Sequence, residues 1–142
     1  MIRLIVQDDA PTIYEEVHRS REHLQNLIWS ATATAESVAI FVNTLIKDDK
    51  RSLYGIFHKD IFCGCVEIRY FDTYAEIGYW LGLEHRGKNI LQNSLRELKE
   101  MLQIAYMTAK VKHNNVKSYQ ILHSIFDMEE VSRDDIWIYL SS

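Results

Sequence analysis

The chain has 142 residues, of which 47% are apolar and 25% are charged, and its net charge is −4. This length and composition suit one ordinary domain, residues 1–142, with a real hydrophobic core. The acidic balance argues against a nucleic-acid-binding protein that works by bulk positive charge. No long apolar run predicts a membrane span, and the short apolar N-terminus indicates a first strand rather than a signal peptide, so a cytoplasmic protein is expected.

Two helices are predicted in the first third of the chain. Asp8-Asp9-Ala10-Pro11 has the acidic side chains and the early proline of a helix start. This helix is expected to break near Arg19–Arg21. A second, amphipathic helix is predicted after Thr34, because the apolar residues recur at helical spacing. These residues are Val38, Phe41, Val42, Leu45 and Ile46.

Strands dominate the rest of the chain, interrupted by two helices. The predicted elements are strands at Ser52–His58, Ile61–Phe71 and Tyr74–Leu81, a helix marked by leucines from Leu91 to Leu102, a strand at Ile104–Lys112, a short helix at Val116–Ser124, and strands at Phe126–Val131 and Ile136–Leu140. Together with the N-terminal strand, this order favours an α+β fold. Its mixed sheet of about six to seven strands is expected to be partly parallel in the C-terminal half.

The cysteines, histidines and two of the tryptophans are predicted to be structural. Cys63 and Cys65 are spaced i, i+2, which on a regular strand places them on one face and makes a disulfide between them improbable. Two reduced, buried thiols are therefore expected. The histidines form no HxxxH or HxH pair, so no metal site is predicted. Trp29 and Trp137 are expected in the core.

The segment Gly78–Leu95, GYWLGLEHRGKNILQNSL, passes from a strand through a charged turn into a helix. Gly87 can adopt a positive φ there and lets another molecule approach the backbone. The first helical N–H groups lack intrahelical partners and carry the positive end of the helix dipole. With Arg86 and Lys88 they predict an anion site that suits phosphate. Taken alone, the loop fits a plain strand-to-helix turn somewhat better, because one glycine is weak evidence for a phosphate site.

The run AEIGYWLGLEHRGKNI, residues 75–90, resembles the fourth strand and phosphate loop of the GNAT acyltransferases. It is most similar to the Rim-type ribosomal-protein N-terminal (serine) acetyltransferases. IYEEVHRSREHLQNLIW, residues 13–29, is similar to the first helical pair of that family, and SATATAESVAIFV resembles its next helix. VKHNNVKSYQILHSIFDMEE resembles its late Asn-x-x-Ser segment and the following strand. The resemblance covers nearly the whole chain and implies a sheet that is splayed between the fourth and fifth strands.

This resemblance implies an enzyme that moves an acetyl group from acetyl-CoA to a primary amine, with a protein or peptide N-terminal α-amine as the expected acceptor. The pantetheine arm would pair with the fourth strand and the pyrophosphate would lie on the loop. Relatives often dimerise, so the resemblance implies a homodimer, although no residue of the sequence indicates one. The implied cofactor-binding residues are Trp80, Leu81, Gly82, Leu83, Arg86, Gly87, Lys88, Asn89, Ile90, Asn115 and Ser118.

Three residues are candidates for the proton transfers that amine acylation needs. Glu76 lies on the fourth strand, where several relatives carry a base. Ser118 matches the serine that Rim-type relatives place near the sulfur of CoA, and Tyr119 is the rival acid. The structural alternatives are a half-exposed strand carboxylate, a helix-cap hydroxyl and a packed aromatic ring.

Two loop residues depart from the family pattern. Glu84 stands where the family has Gln or Arg, and Asn89 stands where it has Gly or Ala. These departures motivate one alternative, a degenerate GNAT domain that acts as a non-catalytic binding module. A second alternative is an acetyltransferase for a small molecule such as an antibiotic or a polyamine.

Overall fold

The computed structural model describes residues 1–24 and 28–142. In these ranges seven strands form one mixed sheet, and four α-helices flank it. The strands are β1 (Ile2–Leu4), β2 (Arg51–His58), β3 (Ile61–Tyr70), β4 (Ala75–Leu81), β5 (Met107–Lys112), β6 (Glu129–Arg133) and β7 (Trp137–Ser141). The helices are α1 (Ala10–Ser20), α2 (Ala35–Lys47), α3 (Ile90–Leu102) and α4 (Val116–Phe126). The α+β fold and the mixed sheet that the sequence predicts are confirmed.

The sheet has the order β1-β2-β3-β4-β5-β7-β6. Every neighbouring pair is antiparallel except β4 and β5, which are parallel. Only Ala75 with Met107 and Glu76 with Thr108 pair across β4 and β5. Beyond these pairs the two strands diverge, so the centre of the sheet opens into a gap at the place where the resemblance implies one.

The two N-terminal helices start and stop at residues that explain their limits. Pro11 lies in the first turn of α1, where its missing N–H costs nothing. The helix ends at Ser20 and a 3-10 turn over Arg21–His23 follows, which agrees with the break predicted near Arg19–Arg21. Thr34 caps α2 by accepting a hydrogen bond of 3.0 Å from the Ser37 N–H. The side chain of Trp29, predicted to be core, lies outside the part of the chain that is described.

Each face of the sheet has its own hydrophobic cluster. On one face, α1 and α2 bury Val17, Val42 and Leu45 against β2 and β3. On the other, α3 and α4 bury Leu98 and Leu122, among others. Each fully buried side chain of this size contributes roughly 1.5–3 kcal/mol. Because α1 and α2 cover only the N-terminal half of their face, that face stays open over β5 and β7.

The cysteines do not share a face of the sheet, so that prediction is wrong. Both are free and buried, as expected, but Cys63 belongs to the α3–α4 cluster and Cys65 to the α1–α2 cluster. The reason is a β-bulge. Ile56 pairs with Gly64 and Phe57 pairs with Phe62, so Cys63 is an extra residue without a partner in β2. A bulge of this kind reverses the alternation of the side chains that follow it.

Two predicted boundaries also need correction. β5 begins at Met107 rather than Ile104, because α3 closes with Gln103 in the left-handed conformation and a turn follows. Phe126 ends α4 instead of starting a strand, because it continues the buried face of that helix, and Asp127 then takes a left-handed conformation. In the described ranges no helix is long and apolar enough to cross a membrane.

Candidate active site

Two adjoining cavities lie at the gap between β4 and β5. The larger, here called the loop-side cavity, has a volume of about 490 Å³. It is lined by Glu22, His23, Leu24, Tyr79, Trp80, Leu81, Arg86, Gly87, Leu91, Gln92, Asn114, Asn115, Lys117, Ser118 and Ile121. The smaller, here called the gap cavity, has a volume of about 200 Å³. It is lined by Glu76, Ile77, Gly78, Tyr79, Ala109, Lys110, Val111, Lys112, Asn115, Ser118, Leu122 and Trp137.

Ser118 stands at the junction of the two cavities, because it lines both. The Asn115 side chain caps α4 by accepting the Ser118 N–H at 3.2 Å, so the cap is Asn115 and the Ser118 hydroxyl is free for another role. That hydroxyl lies 2.6 Å from the Tyr79 hydroxyl on β4. This hydrogen bond joins the two sides of the gap.

Tyr79 is a neutral hydroxyl at physiological pH. Burial raises its pKa to about 12, and the hydrogen bond with Ser118 lowers the pKa only in part. A neutral Tyr79 can donate its proton to the Ser118 oxygen, which leaves the serine proton free to point into either cavity. Tyr79 was not predicted from the sequence. Strand alternation nevertheless places its side chain on the face of β4 opposite to that of Trp80, and this face packs against α4.

Glu76 is half-buried on β4 and lines the gap cavity. It lies beside Thr108 at the last parallel pair before the strands diverge. Strand alternation puts it on the same face as Gly78, which is exposed. The structure thus brings the predicted base, Glu76, and the predicted acid, Ser118, to one opening.

Tyr119 lines neither of the two cavities. Its ring stacks on His123, with 6.3 Å between the ring centroids, and it borders a separate surface hollow beside Glu130 and Arg133. Of the two predicted acids, this position favours Ser118, which lines both cavities, over Tyr119.

The predicted phosphate loop has an open backbone. Gly87 and Asn89 both have left-handed conformations, with φ of 75° and 60°, and α3 begins at the next residue. A β-carbon on Gly87 would meet nothing within 4 Å, so the outer side of the loop is accessible. Within the described ranges the N–H groups of Gly87, Lys88 and Ile90 make no hydrogen bond. Together with the N-terminus of α3 they offer unpaired N–H groups that are suited to an anion.

Two charged side chains of the loop, Glu84 and Arg86, turn towards the first helical segment. The Glu84 carboxylate lies 3.8 Å from the Arg19 guanidinium on α1, which directs its charge away from the open backbone. Arg86 donates to the Leu81 carbonyl at 3.3 Å and to the His23 carbonyl at 2.9 Å. Arg86 therefore fastens the loop to the 3-10 turn after α1 and also lines the loop-side cavity.

Several predicted cofactor-binding residues do not line the cavities. The N–H of Gly82 already donates to the Cys63 carbonyl at 2.7 Å, and that of Leu83 donates to the Ser20 hydroxyl at 3.0 Å. Neither N–H group is free for a ligand, so a contact of these two residues with a cofactor would have to use other atoms. The Ile90 side chain is buried in the core. Lys88, Asn89 and Ile90 can contribute only from the rim, while Trp80, Leu81, Arg86, Gly87, Asn115 and Ser118 line the loop-side cavity.

Comparison with known proteins decides the family. The model of the acetyltransferase (GNAT) domain matches residues 1–125. The chain belongs to the GNAT acetyltransferase domain family. Its class of activity is therefore acyl transfer, and the gap between β4 and β5 is the candidate active site of a GNAT domain.

The relatives of this GNAT chain carry the names of several different acetyltransferases. YdaF of Bacillus subtilis (strain 168), whose name assigns it to the ribosomal N-acetyltransferases, is 26% identical over 152 aligned positions that cover 96% of this chain and 82% of that protein. The RimL ribosomal L7/L12 alpha-N-protein acetyltransferase, solved with coenzyme A, matches with a TM-score of 0.88 and 18% identity, over 99% of this chain and 92% of that one. The microcin C7 self-immunity acetyltransferase MccE, solved with acetyl-CoA and AMP, has a TM-score of 0.82 and 19% identity, over 99% and 91%.

Proposed function

We propose that this GNAT domain transfers an acetyl group from acetyl-CoA to a primary amine, and that the acceptor is the N-terminal α-amine of a protein or peptide. One observation carries the proposal. The Tyr79–Ser118 hydrogen bond stands where the two cavities meet, and Glu76 lines the cavity on the far side. A donor molecule and an acceptor amine can therefore enter from different sides and meet at Ser118.

The residues of the loop-side cavity fit a CoA-type molecule. The free N–H groups of Gly87, Lys88 and Ile90 would receive a pyrophosphate, and the volume of about 490 Å³ has room for a slender arm. Asn89 keeps the loop open despite its side chain, because its left-handed φ of 60° is one that Asn tolerates better than most residues. These features favour a working cofactor loop over a degenerate one.

The groups at the gap provide the two proton transfers. Bound acetyl-CoA would supply an activated acetyl group as a thioester, which is exchanged for an amide bond with release of the thiol. Glu76 accepts the proton that the amine nitrogen must lose. Ser118 would donate its proton to the departing thiolate, and the proton that Glu76 takes from the amine restores the balance through solvent. Tyr79, kept neutral by its raised pKa, holds the Ser118 hydroxyl in place.

The choice of a protein or peptide acceptor is supported by two relatives. The names of YdaF and RimL describe them as ribosomal or ribosomal-protein acetyltransferases. The face of the sheet over β5 and β7 is open, so an extended peptide has room beside the gap cavity. A small-molecule acceptor would not need such a surface.

The test is steady-state kinetics with acetyl-CoA and a peptide that begins with serine, compared with an aminoglycoside and spermidine. We expect turnover of the peptide and a fall in kcat of about 10²-fold or more in Ser118→Ala and in Glu76→Gln. Ser124→Ala on the exposed side of α4 and Glu100→Gln on the surface of α3 are matched controls that should retain activity. Turnover of only the small amines would refute the peptide acceptor. Isothermal titration without any binding at millimolar acetyl-CoA would refute the donor as well.

A further inference from the structure

Two lysines converge on one aromatic ring beside the gap cavity. The Lys110 ammonium lies 4.7 Å and the Lys112 ammonium 5.7 Å from the centroid of the Trp137 ring. All three residues line the gap cavity. Trp137 is half-buried on this open face rather than in the core, which corrects the sequence prediction.

The positive charges of this lysine pair are not neutralised. Within the described ranges neither Lys110 nor Lys112 forms an ion pair with a carboxylate. Asp134, at the start of the β6–β7 turn, instead accepts hydrogen bonds from the N–H groups of Ile136 and Trp137 and from the Tyr139 hydroxyl. A chain with a net charge of −4 thus holds two unpaired ammonium groups together at the mouth of its candidate active site.

The register of the sheet places this pair close to the reacting groups. Thr108 is the partner of Glu76, and Lys110 and Lys112 follow at i+2 and i+4 on the same face of β5. A rise of about 3.3 Å per residue puts them roughly 7 and 13 Å further along the strand. An extended peptide whose amine lies near Glu76 would therefore bring the side chain of its second or third residue to the lysines.

We propose that Lys110, Lys112 and Trp137 form an acceptor subsite that selects peptides with a carboxylate side chain at the second or third residue. The proposal rests on the function given above and names its substrate class. The charges of such a peptide complement the site, because the terminal amine meets Glu76 while the carboxylate meets the two ammonium groups. A lysine ammonium over an aromatic face is held in place and still has N–H groups to donate.

The experiment compares two hexapeptides that begin with serine and differ only at residues two and three, which are both Glu or both Gln. Each peptide is titrated calorimetrically into protein saturated with CoA, which cannot acetylate it, and initial rates with acetyl-CoA are measured separately. The variants are Lys110→Gln/Lys112→Gln and the control Lys47→Gln/Lys50→Gln, which removes two exposed charges, one at the last residue of α2 and one in the turn before β2.

We expect the Glu peptide to bind about fivefold or more tightly than the Gln peptide in the wild type and in the control. In Lys110→Gln/Lys112→Gln the two dissociation constants should become equal, while the Kd of CoA stays unchanged. Equal binding of the two peptides by the wild type, or a preference that survives in this variant, would overturn the subsite. The rates decide the proposed function separately, because peptides that bind selectively but are never acetylated would refute only the transfer reaction.

Discussion

At the scale of single residues, the hydrogen bond between Tyr79 and Ser118 links the two sides of the gap. The two hydroxyl oxygens lie 2.6 Å apart and Tyr79 is largely buried, so the two side chains hold each other in one geometry. Ser118 alone is a flexible hydroxyl with three rotamers, and the tyrosine selects one of them. Tyr79 is thus a positioning residue for Ser118, and its removal should lower kcat more than it changes the KM for acetyl-CoA.

The raised pKa of Tyr79 predicts a specific dependence of stability on pH. Its pKa is about 12 in the folded chain and about 10 when exposed, so its contribution is complete below pH 10 and is lost as the pH rises towards 12. In urea unfolding from about pH 9 to about pH 11.5, the wild type should lose about 2 kcal/mol more than Tyr79→Phe. Tyr54, Cys63 and Cys65 titrate in both proteins and cancel in the difference. Parallel pH curves would contradict the buried, neutral state of Tyr79.

The left-handed conformation of Asn89 gives a second test at this scale. Asn89→Gly relieves the φ of 60° and removes a side chain from the rim of the anion site, so the Kd of CoA should fall by a few-fold. Gln103→Gly is a matched control, because Gln103 is also left-handed, with φ of 47°, but lies at the opposite end of α3. Calorimetry should show tighter binding only for Asn89→Gly. An equal change in both variants would mean that the effect is not local to the loop.

At the scale of elements, the phosphate loop is supported from below by α1. The Glu16 carboxylate is buried beneath Gly82, at 3.4 Å from Arg19 and at 3.4 Å from the imidazole of His85. The Ser20 hydroxyl accepts the N–H of Leu83. These contacts fix where β4 ends and where the loop turns, so the position of the anion site depends on the packing of α1.

Gly82→Ala tests this support. A β-carbon at Gly82 would lie 1.8 Å from the Glu16 Oε1 atom, and the buried carboxylate has little room to move. We expect a loss of about 1–3 kcal/mol in urea unfolding. The control Gly78→Ala should be nearly neutral in stability, since a β-carbon there meets nothing within 4 Å. The double variant Glu16→Ala/Gly82→Ala should recover part of the loss, and an absence of recovery would argue against the steric cause.

The element scale also shows what the sequence could and could not predict. Periodicity gave the order of helices and strands, and the charged turn with Gly87 indicated the anion site, because these signals are local. The bulge at Cys63 was not predictable, since it depends on how Ile56 and Phe57 pair in β2. The sequence also could not show that the N–H donors of Gly82 and Leu83 are occupied, because the accepting groups, on Cys63 and Ser20, are distant in sequence. Strand alternation could have predicted the face on which Tyr79 lies. It could not have predicted the hydrogen bond with Ser118, which is 39 residues away in the sequence.

At the scale of the whole molecule, the sheet consists of two parts that meet at only two residue pairs between β4 and β5. The first part carries α1, α2 and the loop, and the second carries the lysine pair. Beyond Glu76, the β5-facing backbone groups of β4 have no partner strand among the described residues. A molecule bound in the gap can therefore complete the hydrogen bonding of β4 and hold the two parts together.

Ligand binding should accordingly stabilise the molecule globally and protect β4 locally. At a CoA concentration of about 100 times Kd, linkage predicts a gain of about 2.7 kcal/mol, visible as a higher midpoint in urea unfolding. Amide hydrogen exchange should slow most at Gly78–Leu81 of β4 and at the start of α3, with little change in β6, which lies at the far edge of the sheet. Protection spread evenly over the sheet would contradict binding in the gap, since the midpoint rises by mass action wherever the ligand binds. Protection confined to β4 and α3 would show that the ligand occupies the gap, because β4 and β5 pair at only two residue pairs in the described ranges.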